Sequence, residues 1–144
     1  MKIPDHRDAA LLGSYADRDE YQVGSILVWV RFHAQETRAA CTDFALQQLP
    51  EVLAALPDAI AMARAFAREQ EPEFWRQHEE AGTAGELLSV WGLWIDPVRG
   101  LTTYGVQENL DFEVPQDSVL PALPVDWYVA IERDKAGALM VKRS

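Results

Sequence analysis

The stretch Leu87-Leu-Ser-Val-Trp-Gly-Leu-Trp-Ile-Asp-Pro-Val-Arg-Gly-Leu-Thr-Thr-Tyr-Gly-Val106 reads as two strands joined by a tight turn, and its reading decides the fold. Residues 87–95 are too apolar for a strand with one wet face, whereas 101–106 mix Thr, Tyr and Val as a strand surface prefers. The first strand therefore belongs at the centre of a sheet. Between the two, Asp96 can accept backbone N–H bonds, Pro97 presets φ at the first corner, and Gly100 tolerates a left-handed exit. Strict alternation puts Trp91 and Trp94 on opposite faces, so a helix-covered core takes only one of them. The other needs cover from a partner, a second subunit or the proline-rich connection downstream.

Downstream, 107–111 form a turn or bulge and 112–114 a short strand, followed by a connection punctuated by Pro115, Pro121 and Pro124. A second hairpin closes the chain: 126–133 and 138–143 flank Asp134-Lys-Ala-Gly137, and Trp127, Val129 and Ile131 alternate onto one buried face. Upstream, Thr37 is the expected N-cap of a helix to about Gln48, with Cys41, Phe44, Ala45, Gln48 and Leu49 along its stripe. Pro50 starts a new helical segment at 51–56, and Pro57-Asp58 opens the clearest helix, 58–70. The alternative is one helix over 50–70, kinked at Pro57.

A third helix over 73–81 puts Phe74, Trp75 and His78 on one side and ends at Gly82-Thr-Ala-Gly85, a hinge candidate. One strand falls within 21–33, where Ile26, Val28, Val30 and Phe32 face the core. Leu27, Trp29, Arg31 and His33 then run out to a sheet edge, and Gly24 marks a bulge or the strand's start. Residues 1–20 read as an irregular acidic arm with one helical turn. The fold class is a single α+β domain over 1–144. Its antiparallel sheet has about five strands, and a helical block over 37–81 packs on one face.

At 144 residues with 49% apolar content, the chain can bury one core without disulfides or metal. Nothing at the N-terminus marks it for export, no apolar run spans a bilayer, and the single Cys41 agrees with a reducing compartment, so a cytoplasmic location is expected. Thirteen basic against 23 acidic residues give a charge of −10, which opposes nucleic acid and anionic membranes as partners. From Gly100 to Glu132 there is no Lys or Arg, while Glu108, Asp111, Glu113, Asp117, Asp126 and Glu132 supply carboxylates.

The chain has no phosphate-cradling glycine loop, no His-Glu-x-x-His, no Cys-x-x-Cys and no Gly-x-Ser-x-Gly. No catalytic residue, metal site or cofactor is therefore assigned. Glu108, Asp111, Glu113 and Asp117 lack the glycine and terminal glutamate of a calcium loop. Cys41 reads as a small buried hydrophobe, His78 as a helix-surface histidine, and His33 as a local hydrogen-bonding group.

Three functions follow as expectations. The first is a non-catalytic protein-interaction domain that occludes a basic partner: its acids steer the encounter, Trp94 or Tyr104 anchors it, and Glu108, Asp111, Glu113 and Asp117 pair with Lys or Arg. In size and charge the chain is similar to bacterial immunity proteins, which neutralise nuclease or other toxin domains; the similarity is one of composition. The second is a small-molecule site or enzyme between the helices and the sheet, using His78 or Glu73 with Trp75. The third is a homo-oligomer subunit whose exposed tryptophan and strand edge are covered by self-association.

Overall fold

A computed structural model describes residues 2–109, 120 and 127–142. Among the described residues seven strands form one sheet in sequential order: β1 Ala10–Ser14, β2 Arg18–Val23, β3 Ile26–Arg31, β4 Leu88–Asp96, β5 Leu101–Glu108, β6 Tyr128–Arg133 and β7 Leu139–Lys142. All neighbours are antiparallel except β3 and β4. That parallel pair needs a long crossover, and three helices supply it: α1 Arg38–Ala54, α2 Leu56–Gln70 and α3 Pro72–Ala81. The fold is thus α+β with helices on one face and β4 at the centre of the sheet, as its apolar sequence requires.

Helix α1 lies over β3 and β4, α2 crosses β4 to β7, and α3 packs on α2. Between these layers Val28, Val30, Leu49, Leu53, Leu56, Ala63, Trp75, Leu93, Tyr104 and Ile131 are buried. Truncating a leucine such as Leu93 to alanine there costs about 2–5 kcal/mol. The Tyr104 hydroxyl donates to the Val52 carbonyl at 2.7 Å and fastens the end of α1 to β5. No helix of the described residues is long and apolar enough to cross a membrane.

The structure corrects several expectations. The acidic arm is a hairpin, β1–β2, preceded by a 3-10 turn at His6–Asp8. Gly24, at φ +61°, is the first corner of the tight turn between β2 and β3, so 21–33 contain two strands instead of one. β3 is third of seven and has no free edge; Leu27, Trp29 and Arg31 instead face the side of the sheet without helices.

Helix α1 runs through Pro50, whose ring removes one internal hydrogen bond on an exposed side of the helix, Leu46 and Pro50 both being exposed. The break comes at Ala55, and Pro57 sits in the first turn of α2. Thr37 does not cap α1; its hydroxyl donates to the Ala34 carbonyl. Phe44 is 46% exposed, off the buried stripe, whereas Cys41, Ala45 and Leu49 are buried. The expected strand at 112–114 and the proline connection with Pro115, Pro121 and Pro124 lie outside the described residues.

Candidate binding surface

Three tryptophans gather on the face of the sheet that no described helix covers, and a bulge brings them there. On β4, Val90 pairs with Val106 and Gly92 with Gly105, so Trp91 is an extra residue without an opposite number. The insertion resets the alternation. Before it Leu88 and Val90 face the helices; after it Leu93 and Ile95 do, and Trp94 joins Trp91 on the other side. The expected separation of Trp91 and Trp94 onto opposite faces is therefore overturned. Parity holds only along an unbroken ladder.

Trp29 of β3 stands beside Trp94 in the parallel register, and their rings stack at 4.7 Å and 17°. Trp91 packs edge-on against both, at 5.8 and 5.2 Å, and Tyr128 of β6 approaches Trp91 at 6.4 Å. Such aromatic pairs contribute about 0.5–1.5 kcal/mol each beyond area burial. The floor under the rings is glycine. A Cβ at Gly92 would sit 2.7 Å from Cζ3 of Trp29, and one at Gly105 2.8 Å from Cζ3 of Trp94 and 3.0 Å from Nε1 of Trp91. That Trp91 Nε1 is buried and donates to no acceptor among the described residues.

All three indoles keep part of their surface open, and Tyr128 is 47% exposed. Trp29, Trp94, Thr103 and Tyr128 line an open depression of about 1350 Å³, whose outline runs round the sheet to Phe66 and Gln70 on the helix side. The rim charges are mixed. Arg18, Arg31, Arg99 and Lys142 line the depression together with Asp17, Asp96 and Glu132. Arg18 is held by Asp17 at 2.9 Å and lies over the Tyr15 ring; Asp96 accepts from the Arg99 N–H and meets His33 at 3.3 Å.

Of the residues singled out from sequence, Trp94 is on this face. Tyr104 is not: it points at the helices, is fully buried, and is a core residue instead of a surface anchor. Burial pushes its phenol up to about 12. Glu108 ends β5, half-buried and opposite Leu88, away from the indole row. Asp111, Glu113 and Asp117 lie outside the described residues. Trp29 and Trp91 join Trp94 on this face, which the alternation read from sequence did not foresee, and Gly92 beside Trp91 is the one local sign of the bulge.

On the helix side His78 is fully buried, which corrects its reading as a surface residue. Phe74 packs against it at 4.6 Å, and the Thr83 hydroxyl donates to its carbonyl while meeting its Nδ1 at 2.7 Å. Glu73 points out to Arg76 and does not converge with it. An opening between α1 and the sheet, lined by Tyr21, Val28, Val30, Ala45, Leu49 and Ile95, has no volume for a water-sized molecule. Among the described residues no group of three or more His, Cys, Asp or Glu is placed to hold a metal ion.

Fold and surface together define the class: a sheet covered by helices on one face, whose other face, free of described helices, carries a tryptophan cluster. Comparison of the chain with models of protein families, with curated proteins and with solved structures finds no match.

Proposed function

We propose that the protein is a non-catalytic interaction domain that binds a basic protein, with the bare sheet face as its docking surface. The observation that carries the reading is the gathering of Trp29, Trp91 and Trp94 on the one layer that no described helix covers. Tryptophans held rigidly at the centre of a surface lose little entropy on binding and make the strongest anchors. The charge of −10 draws a basic protein in and repels acidic competitors. Inhibition by occlusion, as immunity proteins act on toxin domains, is the form of the activity that this size and charge suit. The packed interface between helices and sheet speaks against a small-molecule site there.

The test is capture from a native lysate at low salt with wild type and Trp94→Ala side by side, followed by reconstitution with the purified partner. A partner of net positive charge whose affinity falls about tenfold or more with Trp94→Ala is expected. A partner bound equally by both proteins would overturn the docking face.

A second reading, self-association, has its own observation. β1 is an edge strand whose Leu11 and Leu12 are 55% and 52% exposed and which carries no Lys or Pro to guard it. Sedimentation of wild type against Leu12→Lys decides it. A dimer abolished by the lysine supports this reading, and a monomeric wild type removes it.

A further inference from the structure

We propose that what the bare face recognises in its partner is arginine: guanidinium groups laid against the Trp29 and Trp94 indoles and held by Glu20 and Glu132. This rests on the docking-face reading above and names the chemistry of the partner. The strand register builds the site as one cross-strand row. Glu20 of β2 is opposite Trp29, Trp29 is beside Trp94, Trp94 is opposite Thr103 of β5, and Thr103 is opposite Glu132 of β6. A stacked indole pair is therefore bracketed by two carboxylates on the same face. Indole faces attract cations, and a planar guanidinium can stack on the ring while donating two parallel bonds to a carboxylate, which an ammonium cannot do.

The two carboxylates are available. No cation of the described residues forms an ion pair with Glu20 or Glu132, whereas Asp17, Asp19 and Asp96 have Arg18, Arg38 and His33. Lys142 sits opposite Ala130, in the row next to Glu132, and does not pair with it. Arg31 follows Trp29 on the same face and stands opposite Arg18, the next same-face pair beyond Glu20 and Trp29, where Asp17 is bound to Arg18. Four strand spacings, about 19 Å, separate Glu20 from Glu132, too far for one side chain to touch both. A basic segment supplies one arginine to each end.

The probe is hexa-arginine, with hexa-lysine and hexa-serine as comparisons, titrated at low salt and followed by tryptophan fluorescence. Glu20→Gln with Glu132→Gln is set against Glu69→Gln with Glu71→Gln, which removes the same charge from exposed helix-side positions; thermal melts establish that each is folded. Hexa-arginine should bind several-fold tighter than hexa-lysine. The first double variant should lose about tenfold and the second less than twofold. Equal losses in the two doubles, equal affinity for the two basic peptides, or no binding of hexa-arginine would each overturn the assignment. If any of these occurs while a captured partner still depends on Trp94, arginine recognition falls and the docking face stands. If no partner depends on Trp94, the face itself falls.

Discussion

The absence of a side chain at Gly92 and Gly105 is what lets three indoles share one sheet face. Gly105→Val should push a methyl-bearing Cβ into Trp94 and Trp91, at a cost of about 1–3 kcal/mol in urea unfolding and with loss of the near-ultraviolet dichroism of the coupled rings. An unchanged spectrum would mean the rings do not rest where the register sets them. Tyr104 is a second residue whose role comes from its surroundings. Its hydroxyl bonds Val52 in the core and its phenol is pushed up to about 12 by burial. A raised folded value means the stabilisation is complete below the unfolded value, about 10, and is lost as pH rises through about 12. Tyr104→Phe should cost about 1–2 kcal/mol at neutral pH and flatten the alkaline fall in stability. If the two proteins fall in parallel above pH 10, Tyr104 does not titrate the fold. Neither role shows in the sequence: Tyr104 is an amphipathic type that suits core and surface equally, and the bulge at Trp91 settles the face on which Trp94 meets Gly105.

Among the elements, the N-terminal hairpin is the one sequence reading misses, and its cause is a buried charge. β2 puts Asp19, Tyr21 and Val23 toward the helices, so the inward set opens with an aspartate and the strand looks like an acidic loop. Arg38, at the start of α1, pairs with Asp19 at 3.0 Å, Thr42 donates to it at 3.0 Å, and Ser14 of β1 receives the same guanidinium. One carboxylate thereby ties two strands to a helix. Burial raises the Asp19 carboxyl, but the hydrogen bonds from Arg38, Ser14 and Thr42 outweigh it and leave the group below the ordinary aspartate range. A lowered folded value means stability is present above the unfolded value, about 3.9, and is lost as pH falls through the folded one. Asp19→Asn should cost about 1–3 kcal/mol at pH 7 and weaken the acid dependence. Faster hydrogen exchange confined to the β1–β2 hairpin and the first turn of α1 is the expected signature. Uniform loosening would mean that Asp19 is not a local clamp. The elements that were legible, α2, α3 and the β4–β5 and β6–β7 hairpins, carry strong local signals: proline in a first helical turn, and Gly82, Gly100 and Gly137 at φ +76°, +69° and +85°.

At the scale of the whole molecule, the α+β class and the one-sided helical cover follow from chain order, since a single helical block between strands can cover only one face of an otherwise meandering sheet. The basic partner proposed above is not written in that order. It depends on surface charge, and charge makes opposing demands on folding and binding. With a net −10, the folded chain repels itself, whereas its exposed ion pairs, such as Arg76 with Glu73 and Glu80 on α3, contribute little each. Salt screens both terms, and the larger one decides the sign. Raising NaCl from about 20 mM, where screening reaches tens of ångströms, to about 0.5 M should therefore raise the melting temperature. The same change should slow association with a basic partner by about tenfold or more, because steering is the term being screened. Melting and stopped-flow measurements on one salt series check both signs together. A melting temperature that falls with salt would mean specific pairs such as Asp19–Arg38 outweigh net repulsion, and an association rate indifferent to salt would remove the carboxylates from the encounter.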